Sequence, residues 1–405
     1  MHVEIIYLMA EAPVLLSAVV CQYKQCGQDT AGEDRTEVRT FEPEQTGLKE
    51  TKALVNWHAS GDATFHRRCW VELTEKCKRT EDGVSAEEIK MIKEAKKTAE
   101  YFDCDERVKS EAKRVSQMIM TSSHCIAFTG AGISTSAGIG DFRGKTGKWT
   151  EKDRAKATGK PTKSKGKRPK GNKGVIFENL RPTYTHEALC KLLQMGLLRY
   201  VISQNTDGLH RLSGIPRDSI SELHGNSFHE KCEKCGARYE RPYRVKSRME
   251  NVVPKKCKNC RINHRTGRKC ERKGCDGYLM NTIINFGDDL EDEPMDRASE
   301  HAQKNDLVLC LGTSLTVSPA NELVEEGKKP VRMLICNRQP TDFDPMCYKI
   351  NSETKSQVGS RVFGDCDHLM REVMKCILPQ DALQEWEDGR EDRMEEYNKQ
   401  RESVD

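Results

Sequence analysis

Residues Thr129 to Thr150 read TGAGISTSAGIGDFRGKTGKWT and follow His124-Cys-Ile-Ala-Phe128, a short apolar run with the character of a buried strand. Gly130 and Gly132 allow a tight turn in which backbone can approach a ligand closely. Ser134 and Thr135 are placed to cap a following helix. A strand, a glycine turn and a helix N-terminus together make an anion site, because free N–H groups and the helix dipole face the loop. GAGIST lacks the third glycine of the full dinucleotide fingerprint, so by itself it serves equally as an ordinary turn between strand and helix.

The chain has 18 cysteines, several of them in short pairs. Two thiolates on one turn can meet one metal, and two such turns complete a tetrahedron. Cys232-x2-Cys235, Cys257-x2-Cys260 and Cys270-x4-Cys275 crowd one region, and spacing alone does not choose among them. Cys21-x4-Cys26 and His66-x2-Cys69, flanked by Trp57 and Trp70, offer a further four ligands near the N-terminus. The ending His-x2-Cys-Trp resembles small treble-clef and PARP-type fingers, while a poorly ordered arm with incidental cysteines remains the alternative. His224, in Leu-His-Gly-Asn, is a candidate base because an imidazole titrates near neutral pH. A lone histidine is more often structural.

Several apolar strands end in polar residues. Arg199-Tyr-Val-Ile202 runs to Gln204 and Asn205, Leu307–Leu311 to Gly312-Thr-Ser, and Val331–Cys336 to Asn337. The run THEALCKLLQMGL after Pro182 has helical spacing. Polar groups gathered at the C-terminal ends of apolar strands are the pattern of an open parallel sheet around its ligand. The expected fold class is α/β: a Rossmann-like doubly wound parallel sheet with a small zinc-binding domain inserted.

GAGIS, then Asp141-Phe-Arg-Gly144 and Trp149, resembles the sirtuin family of NAD-dependent protein deacylases. The order continues through Gln204-Asn-Thr-Asp-Gly-Leu-His210, Leu223-His-Gly-Asn226, the cysteine set, Asn285-Phe-Gly-Asp288, Gly312-Thr-Ser-Leu315 and Ile335-Cys-Asn337, roughly over residues 100 to 379. The segments ISELHGN, TGR before Cys270 and LCLGTSL are most similar to the class IV branch, the sirtuin-6 and sirtuin-7 type. The resemblance implies a deacylase that takes NAD, an acylated lysine in protein (a histone tail above all) and structural Zn(2+). It implies that the acyl oxygen attacks the nicotinamide ribose, nicotinamide leaves, and His224 is the catalytic base acting on a ribose hydroxyl. For NAD it implies Ala131 and Thr135 in the phosphate loop and Phe142, Arg143 and Trp149 over the nicotinamide end. Gln204, Asn205 and Asp207 then hold ribose and carboxamide, and Gly312, Ser314, Asn337, Gln339 and Cys366 the remaining phosphates, ribose and adenine. Phe286-Gly287 falls where the family pairs a substrate peptide with backbone. The class IV spacing puts the third zinc ligand after Thr266-Gly-Arg268, which assigns Cys232, Cys235, Cys270 and Cys275 and leaves Cys257 and Cys260 as a second site or free thiols. Gly140, Thr206 and Asp288 depart from the family's usual proline, apolar residue and glutamate. Protein mono-ADP-ribosyl transfer, and a chromatin-binding module with minor catalysis, are the alternatives.

The length of 405 residues suits one large domain with additions, and 32% charged against 36% hydrophobic residues requires solvated arms beside the core. The net charge of +4 does not by itself imply nucleic-acid binding. Lys156, Lys160, Lys163, Lys165, Lys167, Arg168, Lys170 and Lys173 concentrate positive charge in an insert, 151–174, without acids between Lys156 and Lys173. A nuclear-import patch, a phosphate-contacting arm on DNA or nucleosomes, and a solvated insert are its three readings, the basic functional arm being favoured. The opening residues lack a basic n-region, and no apolar run is long enough for a membrane helix, so a reduced compartment and no membrane are expected; the resemblance implies the nucleus. The expected organisation is an N-terminal Cys/His segment over 1–75 and a helical connector over 76–120, in which Ile89, Ile92, Ala95 and Ala99 keep helical spacing. The NAD-binding domain covers 121–227 and 283–379, the zinc domain 228–282, and an acidic tail 380–405, with ten acids against four bases, reads as an exposed helix or a disordered tail.

Overall fold

The computed structural model describes residues 20–40, 54–58, 60–78, 84–140, 175–248 and 252–401. The chain divides into two compact units, Met1–Ala99 and Glu100–Asp405. The break falls inside the expected helical connector. That connector is two helices, Ala86–Lys97 in the first unit and Asp105–Met120 in the second, not one.

In the first unit, β1 (Arg35–Arg39) and β2 (Asp62–His66) form an antiparallel hairpin, and β2 runs directly into α1 (Arg67–Lys76). Alternation sends Val38, Ala63 and Phe65 inward, where Trp70 and Leu73 of α1 join them in burial. The rings of Phe65 and Trp70 lie 5.2 Å apart. The helix α2 (Ala86–Lys97) starts at Ser85, whose side chain accepts from Glu88 N, and it buries Ile89, Ile92 and Ala95.

The second unit is built on a six-stranded sheet, in the order β13-β12-β11-β4-β5-β6. Its members are β4 (Cys125–Thr129), β5 (Tyr200–Ser203), β6 (Ile220–Glu222), β11 (Leu307–Leu311), β12 (Met333–Cys336) and β13 (Ser360–Val362). Every neighbouring pair is parallel. The strands are apolar on both faces because both are covered. Leu307, Leu309 and Leu311 face one core with Ala112, Val115, Leu189 and Leu369, and Val308 and Cys310 face the other with Ala298, Ala302 and Leu323. The helices over the first core are α3 (Asp105–Met120), α4 (Tyr184–Gln194) and Cys366–Ile377; Asp292–Lys304 lies over the second. Strand order reverses between β4 and β11, which is where an open α/β sheet leaves a crevice at its carboxyl edge.

Between β6 and β11 the chain adds β7 (His229–Cys232), β8 (Arg238–Glu240), β9 (Arg265–Lys269) and β10 (Tyr278–Asn281), which form a separate four-stranded antiparallel sheet in the order β8-β7-β10-β9. Its buried Glu230 accepts from Thr266 Oγ1 at 2.6 Å, Arg241 Nε at 2.7 Å and Arg268 Nε at 2.8 Å. Among the described residues no helix is long and apolar enough to cross a membrane.

The acidic stretch is helical, the first of its two expected forms, and in addition docks. It forms two helices, Gln380–Asp388 and Arg390–Lys399, that dock on the second unit. Trp386 and Leu383 lie against the core, and Tyr397 is buried with Leu180, Leu209 and Leu212. The buried Glu187 receives Arg393 at 3.3 Å and Tyr397 Oη at 3.3 Å. The acids dominate the count but most are exposed; the few apolar and basic residues do the docking together with Glu387, which accepts from Tyr184 Oη at 3.0 Å.

Candidate active site and metal centres

The loop after β4 and the loop after β11 touch each other. A Cβ at Gly132 would lie 2.6 Å from Gly312 Cα, and one at Gly130 would lie 2.8 Å from both Gly312 O and Thr313 Cβ. Gly312 itself has φ +61, and a Cβ there would lie 2.4 Å from Ile133 N. These glycines let two backbones close on each other at the switch point, a different use from approach to a ligand alone. The hydrogen bond from Gly132 N to Gly312 O, 2.8 Å, seals the contact.

The helix expected after the turn is a seven-residue 3-10 helix, Ala131–Ala137, without a side-chain cap. Ser134 does not cap it but donates to Asp207 Oδ2 at 2.7 Å, and Thr135 Oγ1 donates to Gly132 O at 3.0 Å. The anion-site argument from a full helix dipole therefore loses most of its weight, since only one or two turns of aligned peptides are present. The loop is held from below. Asn205 Nδ2 donates to Gly130 O at 3.0 Å, and Gln204 Nε2 donates to Thr313 Oγ1 at 2.9 Å. Asp207 is buried, accepts from Leu209 N at 2.9 Å, and has its carboxyl pKa raised by burial. Asn205 and Asp207 thus hold the loop after β4, and Gln204 holds the loop after β11.

A cleft opens at the carboxyl edge of the sheet, lined by Thr135, Gly312, Asn337, Gln339 and Cys366 together with Gly132 and Arg338. Asn337 Nδ2 donates to Gln339 O at 3.0 Å, and the thiol of Cys366, buried under the cleft, donates to Cys336 O at 3.5 Å. Ser314 Oγ pairs with Thr316 Oγ1 at 3.0 Å beyond the Gly312 turn. A larger cavity, about 180 Å³, lies between β6 and the antiparallel sheet and is lined by Glu222, His229, Arg238 and Glu240. None of the cofactor candidates reaches it, and its charges pair among themselves, Arg211 with Glu240 at 3.2 Å and His229 with Glu222 at 3.6 Å.

His224 follows β6. Its Nδ1 lies 3.0 Å from the carbonyl oxygen of Gln204. A carbonyl only accepts, so Nδ1 carries the proton and Nε2 keeps its lone pair. Burial holds the pKa below the ordinary histidine value, with the bond to Gln204 acting in the other direction. The ring is therefore a neutral base. Gly225 must be glycine: φ is +78, and a Cβ would lie 1.8 Å from Thr282 O. Thr282 Oγ1 donates to Asn226 O and accepts from Asn226 N, each at 3.0 Å, which locks the turn to β10.

Cys232, Cys235, Cys270 and Cys275 converge, with all four sulfurs within 4.8 Å of one another. Cys232 Sγ–Cys275 Sγ and Cys235 Sγ–Cys270 Sγ are both 3.6 Å. A zinc–sulfur bond of about 2.3 Å gives a tetrahedron with edges of about 3.8 Å. The four sulfurs fit that metal without an opening for water, so zinc here is structural. In the first unit, Cys21, Cys26, His66 and Cys69 also bring their ligand atoms within 4.8 Å of one another. His66 Nε2 faces Asp29 O at 2.9 Å, which turns Nδ1 toward Cys26 Sγ at 3.4 Å.

The Sir2 family model matches residues 130–319. The NAD-dependent protein deacetylase Sirt6 of Drosophila melanogaster is 37% identical over 282 residues, covering 69% of this chain and 82% of the relative. This chain belongs to the Sir2 family. The NAD-dependent protein deacetylase SRT1 of Arabidopsis thaliana is 40% identical over 247 residues, 61% of this chain, and the chain spans only 47% of that relative's length. A solved structure titled "Sir2-p53 peptide-NAD+" aligns with 65% of this chain and 97% of its own at 25% identity, with a TM-score of 0.44.

Seen as a Sir2 chain, the molecule brings Thr135, Gly312, Asn337, Gln339 and Cys366 into one cleft, with Gln204 and His224 joined to it through Thr313. Ala131 begins the 3-10 helix beside Gly312. Phe142, Arg143 and Trp149, and the insert 151–174 with the eight basic residues between Lys156 and Lys173, lie outside the described residues. The sequence reading passed over Thr282, Thr313 and His264. Thr282 carries no motif beyond a common hydroxyl, and Thr313 lies inside Gly312-Thr-Ser-Leu315 without a role of its own there; their partners mark them. His264 stands four residues after Cys260, a spacing that would have signalled a ligand.

Proposed function

We propose that this chain is an NAD-dependent protein-lysine deacylase acting on histone or other nuclear proteins. The observation that carries the reading is the neutral His224, its Nδ1 held by Gln204 O at 3.0 Å and its Nε2 left free to accept a proton. NAD, when bound, supplies the ribose that takes up the acyl group and the nicotinamide that leaves. On this reading Thr135, Gly312, Ser314, Asn337, Gln339 and Cys366 hold its adenosine and phosphates. Ala131, Gln204, Asn205 and Asp207 set the loop beside the nicotinamide ribose, and Phe142, Arg143 and Trp149 close over it. His224 Nε2 takes the proton from a ribose hydroxyl, and the bond to Gln204 steadies the ring as it becomes charged. The names of the Drosophila and Arabidopsis relatives, both NAD-dependent protein deacetylases, support the reading.

The same reading gives Cys232, Cys235, Cys270 and Cys275 a structural zinc, and makes Cys21, Cys26, His66 and Cys69 a small zinc finger of the N-terminal unit. It places the protein in the nucleus, with the basic residues between Lys156 and Lys173 touching DNA or nucleosomal phosphates. The test is mass spectrometry of acylated histone peptides incubated with the full chain and NAD. Appearance of O-acyl-ADP-ribose with free lysine is expected. ADP-ribose attached to protein, with no loss of acyl groups, would replace deacylation by mono-ADP-ribosyl transfer. Neither product would leave a binding module, for which salt-dependent nucleosome affinity is the remaining activity.

A further inference from the structure

Cys257 and Cys260 have no place in the four-cysteine centre, yet they are arranged like half of it. In the Cys232 turn, the N–H of Lys234 points at Cys232 Sγ at 3.4 Å, and Gly236, after the second cysteine, has φ +72. In the Cys257 turn, the N–H of Asn259 points at Cys257 Sγ at 3.4 Å, and Arg261, after the second cysteine, has φ 64. Left-handed backbone is costly at arginine. A hairpin closure, Cys257 N to Ile262 O at 2.9 Å, maintains it, and Ile262 N points at Cys260 Sγ at 3.4 Å. Amide donors aimed at sulfur favour thiolate over thiol.

Two further donors face this turn. His264 Nε2 lies 3.2 Å from Cys260 Sγ and 3.5 Å from Asp288 Oδ2. Cys257 Sγ lies 3.2 Å from Asp288 Oδ1. All four ligand atoms are within 4.8 Å of one another. The tautomer of His264 is set from behind. Asn281 Nδ2 donates to His264 O at 2.9 Å, which directs Asn281 Oδ1 toward His264 Nδ1 at 3.4 Å. The proton then sits on Nδ1, and Nε2 is the free lone pair. Asp288 is held too, accepting from Asn285 N at 3.0 Å.

We propose that Cys257, Cys260, His264 and Asp288 form a separate tetrahedral site for zinc, distinct from the four-cysteine centre. Two sulfurs, one imidazole nitrogen and one carboxylate oxygen are an accepted zinc donor set, and their bond lengths give tetrahedral edges of about 3.3–3.8 Å, close to the separations found. Binding displaces one proton from each thiol to solvent, and the imidazole enters neutral. The set carries three negative charges against the ion's two, and Lys255, Lys256, Lys258 and Arg261 stand beside the ligands in sequence to offset the remainder. The ligands come from both sides of β9 and β10, so the ion ties the hairpin 256–263 to the turn Asn285–Asp288. Gly287 already rests there, its Cβ position 3.9 Å from Asn259 O and 4.0 Å from Cys260 Cα.

The test uses the full chain purified with zinc, in two measurements. Elemental analysis after gel filtration should show one zinc fewer per chain in Cys260→Ser and in His264→Ala than in the wild type, with circular dichroism unchanged. In the wild type, which needs no folding control, Cys257 and Cys260 should be protected from iodoacetamide by zinc and become reactive once a chelator has removed it. Equal metal content in folded variants would overturn the proposal. So would alkylation of Cys257 and Cys260 at the same rate with and without zinc, or a disulfide between them in the zinc-loaded chain.

Discussion

His224 Nδ1 and Gln204 O are 3.0 Å apart, and that contact fixes which nitrogen of the ring can act as a base. Gln204 in turn reaches Thr313 with its side chain at 2.9 Å, so the base is tied to both loops at the switch point. Loss of His224 should thus remove chemistry without loosening the fold. His224→Ala is expected to lower deacylation by about 10²–10⁴-fold, the usual contribution of a positioned base. Product formation under single turnover, alongside an unchanged urea midpoint, checks it; near wild-type turnover would remove His224 from the mechanism.

The pH dependence follows from the same group. Burial holds the His224 pKa below its ordinary value, so the neutral, active form persists further into acid. The rate should be flat near neutrality and fall on the acid side, with a midpoint below about 6.5. A kcat/KM profile with its acid limb above that value would show that another group controls the rate.

Gly225→Ala should be far more damaging than most glycine replacements. It adds a Cβ 1.8 Å from Thr282 O at a φ of +78. Either the turn moves, taking His224 with it, or the strain stays in the fold. A stability loss on the order of 3 kcal/mol is expected, with reduced activity in whatever remains folded. Urea denaturation of the full chain measures the first, and an unchanged midpoint would show that the turn relaxes freely.

Cys270→Ser should remove one zinc and destabilise the antiparallel sheet, because it breaks a closed four-sulfur set in which Tyr239 Oη also lies 3.1 Å from Cys270 Sγ. Cys376→Ser, at an exposed thiol, is the control and should keep full metal content. Metal analysis showing equal zinc in both would refute the assignment.

Much of this was legible in residue order. Leu307–Leu311 was read as a strand to its last residue, and β4, β5 and β12 were read within one or two, because strands buried on both faces are apolar without interruption. The convergence of Thr135, Gly312, Asn337 and Cys366 also followed, since in a parallel sheet the carboxyl ends share one edge. That the helical stretch over 76–120 is two helices was not legible, because helical spacing does not reveal that residues 97–105 leave one unit and enter another. The acidic helix was legible, but its docking was not. Charge counting cannot see that Trp386 and Tyr397, in two successive helices, meet apolar partners from distant elements.

By itself the sequence determined which local pieces exist: apolar strands, the His-Gly pair, the cysteine turns and the order in which they come. These depend on neighbours a few residues apart, where propensity and spacing act. Tertiary structure alone decided what each piece is used for. It set Gly132 against Gly312, placed the proton on His224 Nδ1 rather than Nε2, and carried Asp288 to Cys257, 31 positions away. The physical reason is common to all three: a glycine's clearance, an imidazole's tautomer and a carboxylate's metal partner are set by atoms brought close in space, and chain connectivity does not encode those distances.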